Sequence, residues 1–346
     1  MRYGFAVTRR EIPIALPTGR ANGTVEFAEH RSAPRGNAGA GFTFDILWTP
    51  PPTDVGDVVF YFAGNAADGN GANSNDHIYT AAQVISPVCG FTSKATLRSF
   101  VNGASFLAPW AGNGMMSIFG SGFQPAGRMR STVDADLAGA RLPKQLSCVA
   151  VEVAGQRVPI TYLQPDQINI QAPTLLQNSG PVSVVVILNA GGKNELRSDT
   201  LTNTGLQAVA PAFFTFNGKG IAAQFAGSTG LVADPSVAAG SRPAKPGDLV
   251  TLYGTGFGYT DPVWQAGEVP NKAASITTPF TLNIGGIPVS AADVTYAGLS
   301  PGSISGLYQF NVRIPTVAAD GDLPVSLTIG GVSTQPGATI PVPSRK

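Results

Sequence analysis

Short runs in which apolar and polar residues alternate recur along the chain and predict β-strands. In the clearest run, Phe42, Phe44, Ile46 and Trp48 fall at a spacing of two. They therefore share one face of a strand, which the prolines from Pro50 onwards end. Glycine and proline turns separate such runs at roughly 8–12 residues, the spacing of a β-sandwich. The pattern predicts an all-β protein, and no apolar run approaches the ~18–20 residues of a membrane helix.

One stretch of the chain occurs twice. "SIFGSGFQP" at 117–125 returns as "TLYGTGFGY" at 251–259, and the same offset of 134 residues relates Tyr162 to Tyr296. Further on, "QINIQAP" and "QFNVRIP" match at an offset of 142 residues. One internal duplication explains these matches, and the change of offset predicts a longer loop in the second copy, near "AGLSPGSISG".

The repeated glycines allow two interpretations, a nucleotide-binding loop or a structural corner. A dinucleotide fingerprint needs a third glycine and a helix whose N-terminus faces the pyrophosphate. Gly122 is followed instead by Phe123, Gln124 and Pro125, and no helical periodicity comes after either copy. We therefore predict that the glycines bend the strand or admit close backbone contact, and that Phe123 and Phe257 fill the sandwich.

This corner resembles the IPT/TIG type of immunoglobulin-like domain, in which a strand ends in Gly-x-Gly-Phe. The tandem pair also carries "NGASF", "QINIQAP", "GLYQFNVRIP" and "GGVSTQPG" in order. From Ser99 to Val342 it resembles the Solibacter C-terminal repeat-pair module of secreted acidobacterial proteins. The resemblance implies an extracellular modular protein, and it carries over no catalytic residues.

The segment before the repeats contains "GFTFDILWTPPP", "GDVVFYFAGNA" and "DGNGANSND". These runs resemble the reeler-type domain of secreted and surface proteins, in which the Tyr-Gly-Phe strand is not the start of the chain. Because the run from Met1 to Val7 already alternates like a strand, we expect an export signal and a first strand to be missing from this chain. Taken literally, the same start indicates a cytoplasmic protein.

These observations predict three consecutive β-sandwich domains. The first is a reeler-like domain over 1–88, which is expected to be truncated at its N-terminus, followed by a linker over 89–98. Two immunoglobulin-like domains of IPT/TIG type then cover 99–207 and 208–343.

The balance of positive and negative residues limits the classes of partner that the protein is expected to bind. The chain carries 22 Lys and Arg against 21 Asp and Glu, a net charge of +1, with only 12% charged residues. No field of one sign attracts nucleic acid or an anionic membrane. Low charge and a cysteine pair are more typical of extracellular proteins.

Catalytic residues are scarce. His30 and His77 are the two histidines of the chain, whereas a serine hydrolase or a zinc site needs histidine beside further catalytic groups or ligands. Both are predicted to be surface or turn residues, and the prediction is a protein that is not an enzyme. Its expected role is adhesion, binding of a cell-surface or matrix polysaccharide or protein, or domain spacing. The alternatives are a carbohydrate-active enzyme with an inter-domain site and, if Met1 is the true start, a cytoplasmic scaffold.

Two further features predict local sites. Cys89 ends the first segment and Cys148 begins the strand "CVAVEV", so a disulfide between them would tie the linker to the first repeat; the alternative is two free thiols.

Trp48 and Trp110 are expected to be packed. Trp264 lies in the polar loop "TDPVWQAGEVP", where it either serves as a ligand platform or packs against its own domain.

The loop "DGNGANSND" carries the densest set of oxygen donors in the chain, and calcium prefers such ligands. The candidate ligands are Asp68, Asn70, Asn73, Asn75 and Asp76. The spacing differs from an EF-hand, and Asn and Gly also favour long turns because they tolerate positive φ. A hydrogen-bonded loop without an ion is therefore the alternative to a calcium site. No other cofactor is predicted.

Overall fold

A computed structural model describes residues 10–14, 23–27, 48–53, 55–68, 70–72, 74–316 and 320–343. The chain forms two compact units, Met1–Thr53 and Asp54–Lys346. In the first unit, β1 (Arg10–Ile14) pairs antiparallel with β2 (Gly23–Phe27). The expectations for the runs 1–7 and 42–46 and for His30 lie outside the described residues.

The prediction of an all-β protein is confirmed. In the described part of the chain, the helices are two single 3₁₀ turns, Asp134–Asp136 and Ala291–Asp293. Neither has the length or the apolar character that crossing a membrane requires. The three domain ranges stay predictions.

The second unit begins with a long hairpin. β3 (Val58–Ala66) pairs antiparallel with β4 (His77–Ile85), from Val58 opposite Ile85 to Ala66 opposite His77. The polar loop of the calcium prediction connects the two strands.

The first repeat is built from two sheets. One has the strand order β5-β7-β12-β11-β8, and the other has the order β10-β9-β13-β14 with β15 also paired to β13. A short parallel pair, β6 with β16, lies apart from both. The strands are β5 (Thr96–Asn102), β6 (Trp110–Ala111), β7 (Met115–Ser121), β8 (Arg130–Ser131), β9 (Val149–Val153), β10 (Gln156–Arg157), β11 (Ile160–Gln164), β12 (Gln167–Gln171), β13 (Val182–Leu188), β14 (Leu196–Arg197), β15 (Leu201–Asn203) and β16 (Leu206–Gln207).

The second repeat has the same plan. One sheet has the order β17-β21-β27-β26-β23-β22 with β20 paired to β21, and the other has the order β18-β19-β30-β28-β24-β25 with β29 paired to β28. The strands are β17 (Ala212–Phe213), β18 (Thr215–Phe216), β19 (Gly220–Ile221), β20 (Ala223–Phe225), β21 (Leu249–Thr255), β22 (Thr260–Asp261), β23 (Ser275–Ile276), β24 (Phe280–Ile284), β25 (Ile287–Pro288), β26 (Val294–Leu299), β27 (Tyr308–Arg313), β28 (Gly321–Ile329), β29 (Val332–Ser333) and β30 (Thr339–Val342).

Period-two alternation produces each core. In the first repeat, Ile118 of β7, Val151 of β9 and Val184 of β13 belong to one fully buried cluster, so the inner faces of both sheets share it. Trp110 also lies in this core, as expected, with its ring 5.1 Å from the ring of Phe100. The second repeat has its own cluster of the same kind.

Candidate functional site

Each repeated Gly-x-Gly-Phe segment is a structural corner, as predicted. Phe257 is fully buried, and its ring lies 4.7 Å from the ring of Phe310 in the core of the second repeat. A Cβ on Gly254 would lie 2.8 Å from the Phe257 ring and 2.5 Å from the Ala212 carbonyl oxygen, so only glycine fits. The second glycine, Gly256, has a φ of +80°, which glycine adopts without strain.

The first copy repeats this geometry. Phe123 is fully buried, and a Cβ on Gly120 would collide with the carbonyl oxygen of Thr96 and with the Phe123 ring. Gly122 has a φ of +77°. Among the described residues, no α-helix begins at either corner, so neither corner has the geometry of a dinucleotide loop.

The second corner also holds the two repeats together. Thr255, which precedes Gly256, is fully buried, and its hydroxyl accepts a hydrogen bond from the Met115 N–H at 2.8 Å. The same hydroxyl donates to the carbonyl of Gly306 at 2.8 Å. On the other side of the corner, the Asn102 amide donates to the Ala210 carbonyl at 3.0 Å.

A buried amide lies at the centre of this junction. The Gln171 Nε2 donates to the carbonyl of Asn113 at 3.1 Å and to the hydroxyl of Ser305 at 3.0 Å, and its Oε1 accepts from the Gly267 N–H at 2.8 Å. Gln171 and Ser305 are both fully buried. Because a buried amide without partners is costly, this network fixes one arrangement of the two repeats.

The junction extends to its rim. The Tyr259 hydroxyl donates to the Leu175 carbonyl at 2.8 Å and accepts from the Leu175 N–H at 3.1 Å. Burial raises the pKa of Tyr259, although its hydrogen bonding to the Leu175 backbone lowers it, so the tyrosine is neutral at physiological pH. An exposed pair between Arg141 and Glu268 lies at 2.6 Å and adds at most about 1 kcal/mol.

The loop inserted in the second repeat belongs to this junction. In the first repeat, β11 and β12 are separated by a two-residue turn, whereas 300–307 separate β26 from β27 in the second. Ser305 and Gly306, which make the hydrogen bonds described above, lie in this insertion. The change of offset from 134 to 142 residues was the signal in the sequence for this contact, although it did not reveal what the loop touches.

The segment that precedes the repeats contacts the first repeat through Asp57. Arg130 bridges two buried carboxylates, with its Nε 2.6 Å from Asp57 and its Nη2 2.7 Å from Asp136. Burial lowers the pKa of Arg130, but its hydrogen bonds and charge interactions with Asp57 and Asp136 outweigh this effect and raise the pKa. The Ser147 hydroxyl donates to the same Asp57 carboxylate at 3.1 Å.

The predicted disulfide reinforces this attachment. Cys89 and Cys148 form a disulfide with a Cα–Cα distance of 5.7 Å, so the alternative of two free thiols is wrong for this structure. Nearby, the side chain of Asn189 accepts from the Phe91 N–H at 3.0 Å and donates to the Phe91 carbonyl at 2.8 Å. The linker is thereby fixed to the first repeat by covalent and polar contacts.

A cavity of about 210 Å³ adjoins the disulfide. Asp57 lines it, and its buried Oδ1 has no hydrogen-bond partner within the described chain, while its Oδ2 binds Arg130 and Ser147. A single buried water would satisfy this oxygen.

The calcium prediction stays a prediction. Asp68 accepts from the Asn70 backbone and side-chain N–H groups, both at 2.9 Å, and Asp76 accepts from the Asn65 side chain at 3.1 Å. Asn75 adopts a φ of +63°, as an Asn-rich turn allows. Asn73 lies outside the described residues. In the described part of the chain, no three His, Cys, Asp or Glu side chains are grouped as metal ligands.

Trp264 lies at the junction and packs against the core of the second repeat. Its indole N–H is buried without a hydrogen-bond partner among the described residues, and its carbonyl accepts from the Asn113 side chain at 2.7 Å. The Trp264 side chain is therefore packed against its own domain, which was one of the two alternatives. Its use as a ligand platform stays a prediction. His77 is exposed on β4, as expected for a surface histidine.

No protein-family model matches the chain, and no curated protein matches its sequence significantly.

Proposed function

We propose that the chain is a non-catalytic modular protein of the cell surface or extracellular space, in which two immunoglobulin-like repeats of IPT/TIG type form a rigid arm. The arm follows a reeler-like domain and serves adhesion or the binding of a matrix or surface glycan or protein. The observation that most directly supports this proposal is the buried network around Gln171, which fixes the two repeats relative to each other.

A rigid junction suits presentation of a binding surface better than a hinged one does, because less orientational freedom is lost on binding. Two flexibly linked domains would meet through a smaller, more exposed contact. Here Gln171, Thr255 and Ser305 are all fully buried at the contact. The disulfide supports the extracellular setting, because such bonds persist in oxidising compartments.

If the protein were a carbohydrate-active enzyme, the cleft of about 460 Å³ between the repeats would be the place for its active site. Its lining consists of amides, hydroxyls, prolines and small apolar residues, with Gln207 and Gln335 among them. Glycoside hydrolysis generally requires a pair of carboxyl groups, and none is found among the described residues lining this cleft. This composition favours a non-catalytic protein.

The test is a binding array of glycans and extracellular matrix proteins, incubated with the full chain. We expect saturable binding to at least one class of ligand and no release of products from any glycan. Hydrolysis of a bound glycan would overturn the non-catalytic assignment. Failure to bind any glycan or matrix protein would overturn the proposed role itself.

A further inference from the structure

The outer faces of the two equivalent sheets carry the same polar arrangement. In antiparallel strands, residues opposite each other share a face, and Asn169 of β12 lies opposite Ser117 of β7. Their sequence neighbours Ile118 and Ile168 are fully buried in the core. Ser117 and Asn169 therefore belong to the face of the sheet that points away from the core.

Three side chains form what we call the amide fork of the first repeat: Ser117, Gln167 and Asn169. The Ser117 hydroxyl donates to the Asn169 Oδ1 at 3.0 Å, and the Gln167 Nε2 donates to the same oxygen at 2.8 Å. The fork fixes the orientation of the Asn169 amide. Its Nδ2 donates to no group in the described chain, so two N–H donors remain for another molecule.

The second repeat contains the same fork at the duplicated positions. The Thr251 hydroxyl donates to the Asn311 Oδ1 at 2.8 Å, and the Gln309 Nε2 reaches this oxygen at 3.5 Å. Asn311 lies opposite Thr251 in the register, and its Nδ2 likewise donates to nothing within the described residues.

Sheet stability alone explains this duplication poorly. Asparagine is unfavourable in strands, and a threonine or valine pair would stabilise the pairing of two central strands more. Ser117 and Thr251 are buried beneath the side chains of the outer face, whereas Asn169 and Asn311 are partly exposed. Yet Asn169 and Asn311 occupy the same register in the two copies of the duplication.

An aromatic ring accompanies each fork. Phe119 lies opposite Gln167, and Tyr253 lies opposite Gln309, both half-buried on the outer face. In the first repeat, the ring of Phe106 lies 6.0 Å from the ring of Phe119 and enlarges this surface. Phe106 is 56% exposed and has a φ of +57°, a strained conformation for a bulky residue.

The strained loop is held in place by Asn102. The Asn102 N–H donates to the Leu107 carbonyl at 2.9 Å, and the Phe106 N–H donates to the Asn102 carbonyl at 2.9 Å. The Asn102 Oδ1 also accepts from the Ala104 N–H at 2.9 Å. Phe106 is thus kept outward by the backbone of its own loop.

From these observations we infer that each amide fork, with its aromatic ring, forms a binding site for a neutral polysaccharide. The asparagine N–H groups donate to sugar hydroxyls, and the rings pack against the apolar C–H faces of the sugar. No charged side chain takes part in either fork or its ring, so the chemistry fits an uncharged ligand. This inference rests on the proposed binding function and names the ligand class and the residues.

The experiment is electrophoresis of the full chain through native gels that contain hydroxyethylcellulose, glucomannan or dextran, with anionic alginate as a charge comparison. The test variant combines Asn169→Asp and Asn311→Asp, which keeps the shape and the Oδ1 acceptor but removes the N–H donors. Mobility is normalised to gels without polysaccharide, because the variant carries extra charge. The matched control combines Ser183→Ala and Ser326→Ala, exposed on the opposite sheet of each repeat.

We expect at least one neutral polysaccharide to retard the unmodified chain and the control equally. The double asparagine variant should bind about tenfold more weakly, because each fork loses the N–H donors of its asparagine amide. If it does not fold, Phe119→Leu with Tyr253→Leu, which removes the rings, replaces it and should weaken binding similarly.

Two results overturn the inference. If a folded fork or ring variant is retarded as strongly as the unmodified chain, the glycan binds elsewhere on the protein. The proposed binding function is then unaffected. No retardation of the unmodified chain by any neutral polysaccharide would also overturn it, and binding to matrix proteins on the array would then decide the proposed function separately.

Discussion

Gln171 of the first repeat donates a hydrogen bond of 3.0 Å to the hydroxyl of Ser305 in the second repeat, and both side chains are fully buried. The same amide serves the carbonyl of Asn113 and the N–H of Gly267. One side chain therefore satisfies buried polar groups from both repeats. Replacing it measures how much this side chain contributes to the stability of the junction.

We predict that Gln171→Leu destabilises the chain by about 2–3 kcal/mol, because it leaves the Gly267 N–H and the Asn113 carbonyl buried without partners. Urea unfolding followed by intrinsic fluorescence measures the change. Gln207→Leu is the matched control, since Gln207 is exposed on β16 and should change stability by no more than about 0.5 kcal/mol. Equal stability of the two variants would show that the junction does not hold the repeats.

Gly254→Ala is expected to destabilise the second repeat by about 2–3 kcal/mol. The new Cβ would approach the Phe257 ring and the Ala212 carbonyl too closely, so the core must shift. Gly220→Ala is the control, because the nearest atom to its added Cβ lies 4.0 Å away. Thermal unfolding of both variants checks this, and a Gly254→Ala protein as stable as the control would contradict the account of the corner.

The sequence predicted the corners well because local chemistry determines them. A strand that ends in two glycines and a phenylalanine has few ways to fold, and Phe123 and Phe257 are buried as expected.

The junction could not be predicted in the same way. Gln171 and Ser305 are 134 residues apart in sequence, and neither has a local pattern that indicates burial. Their contact depends on how two folded sandwiches dock, which no periodicity encodes. The amide forks could not be predicted for a different reason: Asn169 and Asn311 lie within strands, where alternation indicates only that a polar residue faces outward.

The disulfide yields a third prediction. Cys89 and Cys148 are 59 residues apart, and closing a loop of this length is worth about 4 kcal/mol in the chain-entropy model. Cys89→Ser with Cys148→Ser should lower stability by about that amount relative to the unreduced chain. Reduction of the unmodified chain should produce the same loss, and thiol labelling of the unfolded, non-reduced protein should find no reactive group. Two labelled thiols there would contradict the bond.

The last prediction concerns alkaline pH. Tyr308 is buried in the core of the second repeat, where its hydroxyl donates to the Gly258 carbonyl. Burial, with a smaller contribution from the charge of nearby Tyr259, raises the pKa of Tyr308 above the ordinary value of 10.0. The folded chain therefore keeps this proton at a pH at which the unfolded chain loses it. The resulting stability is fully present below about pH 10 and is lost as the pH rises further.

We expect the free energy of unfolding to fall above pH 10 with a contribution of about 1.4 kcal/mol per pH unit from Tyr308. Tyr308→Phe should be less stable at every pH, because the Gly258 carbonyl loses its donor, but its stability should fall less steeply between about pH 10 and 11. Tyr79→Phe is the matched control, since Tyr79 is 65% exposed on β4 and should leave the slope unchanged. Urea unfolding of the three proteins across this range measures the slopes. If Tyr308→Phe shows the same slope as the unmodified chain, the buried hydroxyl does not control alkaline unfolding, and the slope must come from other groups.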